Sequence, residues 1–286
     1  MASTVFLSAL DSVAKWIGAS VPIWELVWVR NAFQVGLAFA VFAPRLGRGL
    51  LVSRAPRLQL LRSTALLGST TLYFLALRHL PLAETAAITF AAPLITVVLA
   101  GPVLGERVAK ASLAAALLGF AGVVAVIQPF SGAVQPAMLL PLAAAVTSSV
   151  YTLLTRALRE RDHAATTWFY SGMVGFVVTS FTPPTGWVVP TEVSVMVPLL
   201  AIGVCASLGH LLLISAYGRA TASALAPLGY LELLWVTIVG LTVFGELPNA
   251  LGLAGIGLIA AAGIVTTRFE RPVSPAEGDA ELAPAR

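Results

Sequence analysis

Residues 91–105 read "AAPLITVVLAGPVLG", a run without a single charged side chain. Extended by its apolar neighbours, such a run is long enough to cross a bilayer, which takes roughly 20 helical residues. Residues 66–77, "LLGSTTLYFLAL", have the same character. In hydrocarbon only helices and closed barrels satisfy their backbone hydrogen bonds, and these runs are solid rather than alternating. The sequence therefore predicts an all-α integral membrane protein.

The composition supports this class and excludes others. Of the 286 residues, 58% are hydrophobic and only 10% are charged, against about 25% charged residues in soluble domains. The single cysteine, Cys205, excludes a disulfide framework and a cysteine-based metal cluster. The net charge of +4 comes from basic residues that flank apolar runs, so no nucleic-acid partner is expected.

Asp11 and Lys15 interrupt the first apolar stretch, and no basic region precedes it. We therefore interpret this stretch as the first span rather than as a cleaved signal peptide. The tail 271–286 is polar and rich in Pro, Ala and Glu, which predicts a disordered cytoplasmic tail. The apolar runs give ten candidate spans: 3–19, 23–43, 59–77, 82–103, 109–128, 136–155, 164–181, 195–217, 222–243 and 250–267.

The distribution of lysine and arginine predicts the orientation, because short cytoplasmic loops carry an excess of these residues. With both termini in the cytoplasm of a cell, only Arg78 falls on the outer side, while Lys15 and Arg30 lie within spans. We expect an integral protein of the cytoplasmic (inner) membrane. The basic residues assigned to the inner loops and tail are Arg45, Arg48, Arg54, Arg57, Arg62, Arg107, Lys110, Arg156, Arg159, Arg161, Arg219, Arg268, Arg271 and Arg286.

The two halves of the chain resemble each other. Residues 76–106 align without a gap with residues 216–246, and both segments end in Gly-Glu. The offset is five spans, and because five is odd the second copy crosses the membrane in the opposite sense. This pattern predicts an inverted-topology repeat, in which a substrate site lies near the midplane between the halves.

Two long segments carry a family resemblance. Residues 76–108, "ALRHLPLAETAAITFAAPLITVVLAGPVLGERV", followed by "LLGFAGVVAVIQP", resemble the first half of an EamA-type transporter of the drug/metabolite transporter superfamily. Residues 226–265, "APLGYLELLWVTIVGLTVFGELPNALGLAGIGLIAAAGIV", resemble the second half, and "WVRNAFQ" at 28–34 is similar to the arginine-containing segment of the same family.

The resemblance implies ten transmembrane helices, arranged as two inverted five-helix repeats around a central cavity. The expected units are a first repeat at 1–130, a second at 131–270 and the tail. One departure is visible in the ninth span, where many members have Glu-Pro but Glu232 is followed by Leu233.

Ionisable side chains within a span are costly unless they are paired or face water, so each is a functional candidate. Asp11 and Lys15 lie four residues apart on one helix face, either as an internal ion pair or as groups lining the cavity. Arg30 and Gln34 share a face of the second span. Arg30 is suited to hold a substrate carboxylate by two hydrogen bonds, or else to anchor the helix on backbone carbonyls or Asp11.

Two further groups are candidates for substrate binding or proton coupling. Glu232 lies near the middle of the ninth span, behind Pro227 and Gly229, and breaks of this kind can line a transporter's cavity. His210 in the eighth span titrates in the range that a proton relay needs. The alternative for both is a hydrogen bond between helices.

Neutral residues give weaker signals. Thr89 near Pro93, together with Tyr151, Tyr230 and Trp235, are candidates for substrate contact. Their alternatives are helix packing for hydroxyl groups and interface anchoring for aromatic rings.

These observations predict a secondary active transporter that moves a small polar metabolite, such as an amino acid or a cofactor-like or drug-like compound, by alternating access. It would use exchange or proton coupling and no cofactor, as a monomer or homodimer. The sequence has no GxxxxGK[ST], GxSxG or HExxH motif, which argues against an ATP-driven pump, a hydrolase and a metal site. A facilitative channel, a lipid scramblase and a small-molecule membrane receptor remain alternatives.

The Gly-Glu pairs at 105–106 and 245–246 have a structural interpretation. Glycine permits the left-handed turn that ends a helix, and the glutamate then begins the next loop at the membrane surface. A gating contact is the alternative for these two glutamates.

Overall fold

The computed structural model describes residues 2–105, 108–128, 135–181, 187, 192–220, 225, 228–229, 231–246 and 249–269, with the backbone alone at 126, 127, 260 and 263–269. Within these ranges the chain is helical and has no β-strand. The α-helices are Ala2–Ile17 (α1), Ile23–Leu46 (α2), Pro56–Ala76 (α3), Leu82–Thr89 (α4), Ala91–Leu104 (α5), Lys110–Ile127 (α6), Leu139–Leu158 (α7), Ala164–Ser180 (α8), Val193–Arg219 (α9), Leu231–Phe244 (α10) and Ala250–Phe269 (α11).

Length and composition make several of these helices suited to cross a membrane. Among the described residues, four helical stretches meet both criteria: Ile23–Leu50, Leu82–Leu104, Pro136–Leu158 and Val193–Arg219. Large apolar side chains such as Phe39, Val177 and Leu241 are exposed on the outside of the bundle, where lipid would surround them. The prediction of an all-α membrane protein is confirmed. The predicted tail, 271–286, lies outside the described residues.

The fourth predicted span is interrupted, which the sequence analysis did not anticipate. Helix α4 ends at Thr89 and α5 begins at Ala91, with Phe90 between them at φ −70° and ψ 4°. Pro93 has no backbone N–H to donate to the carbonyl of Thr89, so the helical ladder loses a bond at this level. The Thr89 and Phe90 side chains at the break face a central cavity.

The helix ends at the two Gly-Glu pairs agree with the sequence interpretation for the glycines. Gly105 has φ +69° and Gly245 has φ +67°, the left-handed conformation that glycine adopts without a Cβ penalty. The N–H of Gly105 donates to the carbonyl of Gly101 at 2.9 Å, which satisfies a terminal carbonyl of α5. Glu106 lies outside the described residues. Glu246 does more than begin a loop, because its carboxylate contacts residues of two other helices.

The main contacts join helices from different halves of the chain. Helices α1, α2 and α3 pack mainly against α9, α8 and α7, respectively, and α6 packs along α11. Further contacts pair α2 with α9, α3 with α8, α1 with α10, α4 with α10, and α7 with both α4 and α5. The two halves are therefore interleaved into one bundle.

The α6–α11 contact depends on one glycine. A Cβ built on Gly122 would lie 2.5 Å from the carbonyl oxygen of Gly255 and 2.8 Å from Cγ1 of Ile259. Small residues allow two helix backbones to approach this closely in a membrane.

We expect Gly122→Ala to destabilise the protein by about 1–3 kcal/mol, because the obstructing atom is backbone and cannot rotate away. The measurement is the thermal unfolding midpoint in detergent. Gly257→Ala is the matched control on α11, since a Cβ there meets nothing within 4 Å. Equal midpoints for the two variants would contradict a tight α6–α11 contact.

Candidate functional site: a cavity with two charged walls

A cavity of about 260 Å³ lies within the bundle, just below the ~300–1,000 Å³ typical of small-molecule sites. Most of its wall is apolar, with polar groups from several helices. The polar and charged lining residues are Ser3, Thr4, Asp11, Arg30, Ser69, Thr70, Tyr73, Thr89, Thr96, Ser148, Tyr151, Thr152, His210, Tyr217 and Glu232.

One wall of the cavity is acidic. Asp11 of α1 is buried, with 9% of its surface exposed, and its carboxyl group lies next to that of Glu232 in the first turn of α10. The hydroxyl group of Tyr73 on α3 lies beside both carboxyl groups. Two buried carboxylates repel each other, so a cation between them would stabilise both. This wall is therefore suited to a positively charged ligand group.

The facing groups are basic. The guanidinium of Arg30 on α2 donates through NH2 to Nε2 of His210 at 2.6 Å, and Nδ1 of His210 lies 3.2 Å from the hydroxyl of Tyr151. Because Nε2 accepts from arginine, the imidazole is neutral and carries its proton on Nδ1, which donates to Tyr151. His210 therefore orients Arg30, and Arg30 supplies the positive charge of this wall.

One buried donor of the lining, Nε of Arg30, has no hydrogen-bond partner among the described residues. Buried donors are rarely left unpaired, because each costs about 1–3 kcal/mol. A carboxylate of a ligand in the cavity could therefore bind this atom.

A second buried arginine stands behind Tyr151. Arg62 of α3 is 0% exposed, donates to the hydroxyl of Ser171 at 2.7 Å and to the carbonyl of Thr167, and stacks 5.1 Å from the centre of the Tyr151 ring. The assignment of Arg62 to a cytoplasmic loop was therefore wrong. The count of basic residues in the loops placed Arg62 on the wrong side of the helix boundary. Its position inside the predicted span 59–77 already indicated that it lies within a helix.

Six of the ten sequence candidates meet at this cavity. They are Asp11, Arg30, Thr89, Tyr151, His210 and Glu232. The hydroxyl of Thr89 donates to the carbonyl of Thr85 at 2.9 Å, as serine and threonine commonly do in membrane helices. Tyr230 and Pro227 lie outside the described residues.

Lys15 is not part of the cavity lining, and its partner is not Asp11. Its ammonium group forms an ion pair with Glu246, which follows α10, and lies 5.0 Å from the centre of the Phe244 ring. The flexible four-carbon stem lets the charge reach the end of the bundle rather than the midplane. Glu246 thus connects the second half of the chain to the first.

Gln34 and Trp235 also point away from the cavity. The amide of Gln34 donates to the carbonyl of Trp168 at 2.9 Å, between α2 and α8. The neighbouring Asn31 packs against Gly175, where an added Cβ would lie 2.3 Å from its Nδ2. Trp235 is 43% exposed on the outside of the bundle. Of the polar residues in "WVRNAFQ", Arg30 therefore lines the cavity, whereas Asn31 and Gln34 contact neighbouring helices.

Ser69 and Thr70 of α3 line the cavity beside Tyr73, although the sequence analysis did not place these two hydroxyl residues at a site. Their distance of four and three positions from Tyr73, on one helix face, was the available signal.

Residues 1–128 and 135–268 each match the model of the EamA-like transporter family. A solved crystal structure shares the fold, with a TM-score of 0.72 over 94% of this chain and 98% of the other, at 22% identity.

Three curated relatives are similar over most of their length. The chain is 28% identical over 259 residues to an S-adenosylmethionine uptake transporter of Rickettsia bellii, covering 90% of this chain and 88% of that protein. It is 27% identical over 274 residues to a pseudopaline exporter of Pseudomonas aeruginosa, covering 95% of each. It is 27% identical over 278 residues to a riboflavin transporter of Rhizobium johnstonii, covering 93% and 88%.

These relatives are named as transporters and not as enzymes, in agreement with the sequence analysis. With both halves matched by the family model, the predicted resemblance is confirmed: the chain belongs to the EamA-like transporter family.

Proposed function

We propose that the protein is a secondary active transporter that carries a small zwitterionic metabolite through the cytoplasmic membrane by alternating access. One observation carries the proposal: a single cavity has a carboxyl pair, Asp11 and Glu232, on one wall and Arg30 on another. A molecule with a cationic group and a carboxylate would neutralise both walls at once.

The proposed architecture is two inverted repeats of five spans, 1–130 and 131–270, with α4 and α5 counted as one span. Numbered in this way, the contacts between halves pair spans 1–8, 1–9, 2–7, 2–8, 3–6, 3–7, 4–6, 4–9 and 5–10. If each span is replaced by the span five positions away along the chain, the same set of span pairs is obtained. A two-fold relation between the halves would produce this symmetry, and the cavity between them is where such transporters bind substrate.

The proposed orientation places both termini in the cytoplasm. It rests on the excess of lysine and arginine in the loops at that side, and moving Arg62 from a loop into α3 leaves the bias intact. The protein would act as a monomer or homodimer.

The named relatives suggest a first substrate to test. S-adenosylmethionine carries an amine, a sulfonium cation and a carboxylate, which match an acidic and a basic wall, and one relative is named for its uptake. The sulfonium or the amine would lie at Asp11 and Glu232, and the carboxylate would bind the free Nε of Arg30.

The test is binding and uptake by purified protein. In a thermal-shift panel of metabolites, S-adenosylmethionine should stabilise the protein by RT ln(1 + [L]/Kd), about 2.7 kcal/mol at 100 Kd. S-adenosylhomocysteine is the control ligand, because it lacks only the methyl group and the sulfonium charge. Stabilisation by neither compound while riboflavin binds would contradict the zwitterion proposal. Equal stabilisation by both compounds would assign the acidic wall to the amine and contradict a sulfonium at Asp11 and Glu232.

Transport in proteoliposomes separates the remaining alternatives. Saturable uptake that is accelerated by unlabelled substrate on the opposite side is expected of a carrier and not of a channel, a scramblase or a receptor. For the coupling ion we propose protons, held by Glu232 and Asp11 when the substrate's cation is absent. Uptake that is indifferent to an imposed pH gradient would contradict proton coupling and leave exchange.

A further inference from the structure

One carboxylate joins three elements at the end of the bundle away from the start of α1. Glu246 forms the ion pair with Lys15 of α1, and its Oε2 accepts a hydrogen bond of 3.1 Å from the backbone N–H of Leu82, the first residue of α4. Glu246 itself follows α10. We call this group of Lys15, Leu82 and Glu246 the closing contact.

The closing contact lies beyond one end of the cavity. On α1 the cavity lining stops at Asp11, whereas Lys15 lies one helical turn further along. Apolar side chains of α1, α2, α4 and α10 pack together in one buried cluster, which we call the apolar plug. These are Ala14, Leu26, Leu82, Leu233 and Val236, each 3% exposed or less.

The cavity extends in the other direction. Its lining includes Ser3 at the start of α1 and Tyr217 near the end of α9, and the hydroxyl of Ser3 donates to the carbonyl of Gly209 at 2.9 Å, which shows that the start of α1 packs against the middle of α9. The structure thus has its cavity displaced toward the N-terminal face and its apolar plug and ion pair on the opposite side.

The exposure of the ion pair suits a contact that breaks and re-forms. The side chains of Lys15 and Glu246 are 15% and 26% exposed, so water can hydrate both charges as soon as they separate. A fully buried pair would be much more costly to open. The contact also links α1 and α4 of the first half to α10 of the second, the elements that must move apart if the halves rock against each other.

We propose that the closing contact is a gate, which holds the cavity shut on the face opposite the N-terminus and breaks when the transporter opens to that face. This inference rests on the proposed alternating-access function. By favouring the closed arrangement, the ion pair sets the balance between the two states of the carrier.

The experiment measures access to the cavity without any substrate. In a Cys205→Ala background, Ser69→Cys places one thiol in the cavity lining, and a membrane-impermeant maleimide labels it in sealed vesicles of either orientation. A tag on the N-terminus identifies the face. Lys15→Met and Glu246→Gln should each raise the labelling rate from the face opposite the tag by roughly three- to tenfold, while Lys15→Arg keeps the parent rate.

Glu246→Gln retains an oxygen that can accept from Leu82, so it isolates the contribution of the charge. Glu160→Gln is the matched control: it breaks the Arg159–Glu160 pair at the N-terminal face and should leave the labelling rate unchanged. Parent-like labelling in folded Lys15→Met and Glu246→Gln proteins overturns the gate, and so does faster labelling from the tagged face. Because no substrate is added, failure of the transport proposal would leave this result interpretable.

Discussion

Replacing Arg30 with methionine is expected to lower the transport efficiency for a carboxylate-bearing substrate about 100-fold. The change removes the positive charge that faces Asp11 and the unpaired Nε that a carboxylate would take up. A charge-assisted contact of this kind is worth about 1.5–3 kcal/mol, and roughly 2.8 kcal/mol corresponds to a factor of 100. The measurement is the initial rate of uptake into proteoliposomes as a function of substrate concentration.

The substrate itself provides the control for this prediction. Decarboxylated S-adenosylmethionine retains the sulfonium and the amine but lacks the carboxylate. The parent protein should prefer the intact molecule. Arg30→Met should discriminate little between the intact and the decarboxylated compound, because it lacks the guanidinium that binds the carboxylate. If the variant loses both substrates equally and keeps the parent's preference, Arg30 is a structural anchor.

Arg30→Lys refines the interpretation. Lysine keeps the charge but presents a single ammonium rather than a planar fork, so it is less suited to hold His210 and a carboxylate at the same time. We expect partial activity, between the parent and Arg30→Met, with unchanged thermal stability as the evidence of folding.

Much of the fold could be predicted because hydrophobic length constrains a membrane helix strongly. The boundaries of α8 at Ala164–Ser180 and of α9 at Val193–Arg219 follow the apolar runs within a few residues. The break at Phe90 was missed, although Pro93 was in view. A proline inside a span predicts a disturbed hydrogen bond, but whether the helix bends or stops depends on its neighbours.

The site was less predictable, since sequence gives the depth of a residue more readily than the direction of its side chain. Arg30 and Gln34 share a helix face, yet one lines the cavity and the other bonds to Trp168 of α8. Helices that are apolar all round carry no stripe to indicate which side faces the interior. Lys15 shows the same limit, because its partner Glu246 lies 231 positions away along the chain.

The largest loss of cation transport is expected from the carboxyl pair. Glu232→Gln should lower uptake of S-adenosylmethionine about 100-fold, and Asp11→Asn by a similar factor, since each removes one of two charges that would surround the cation. Uptake rates and thermal shifts with S-adenosylmethionine and S-adenosylhomocysteine measure the effect. The preference for the sulfonium compound should disappear in both variants.

The double variant distinguishes a shared cation site from two independent contacts. If Asp11 and Glu232 hold one cation together, removing the second carboxyl after the first costs little, and the double variant should transport within about threefold of either single one. Glu84→Gln is the matched control, because Glu84 lies in the first turn of α4 but not in the cavity lining, and its uptake should stay within about twofold of the parent. Multiplicative losses of about 10,000-fold in the double variant, or an equal loss in Glu84→Gln, would show that the two carboxyl groups do not act on the substrate as a unit.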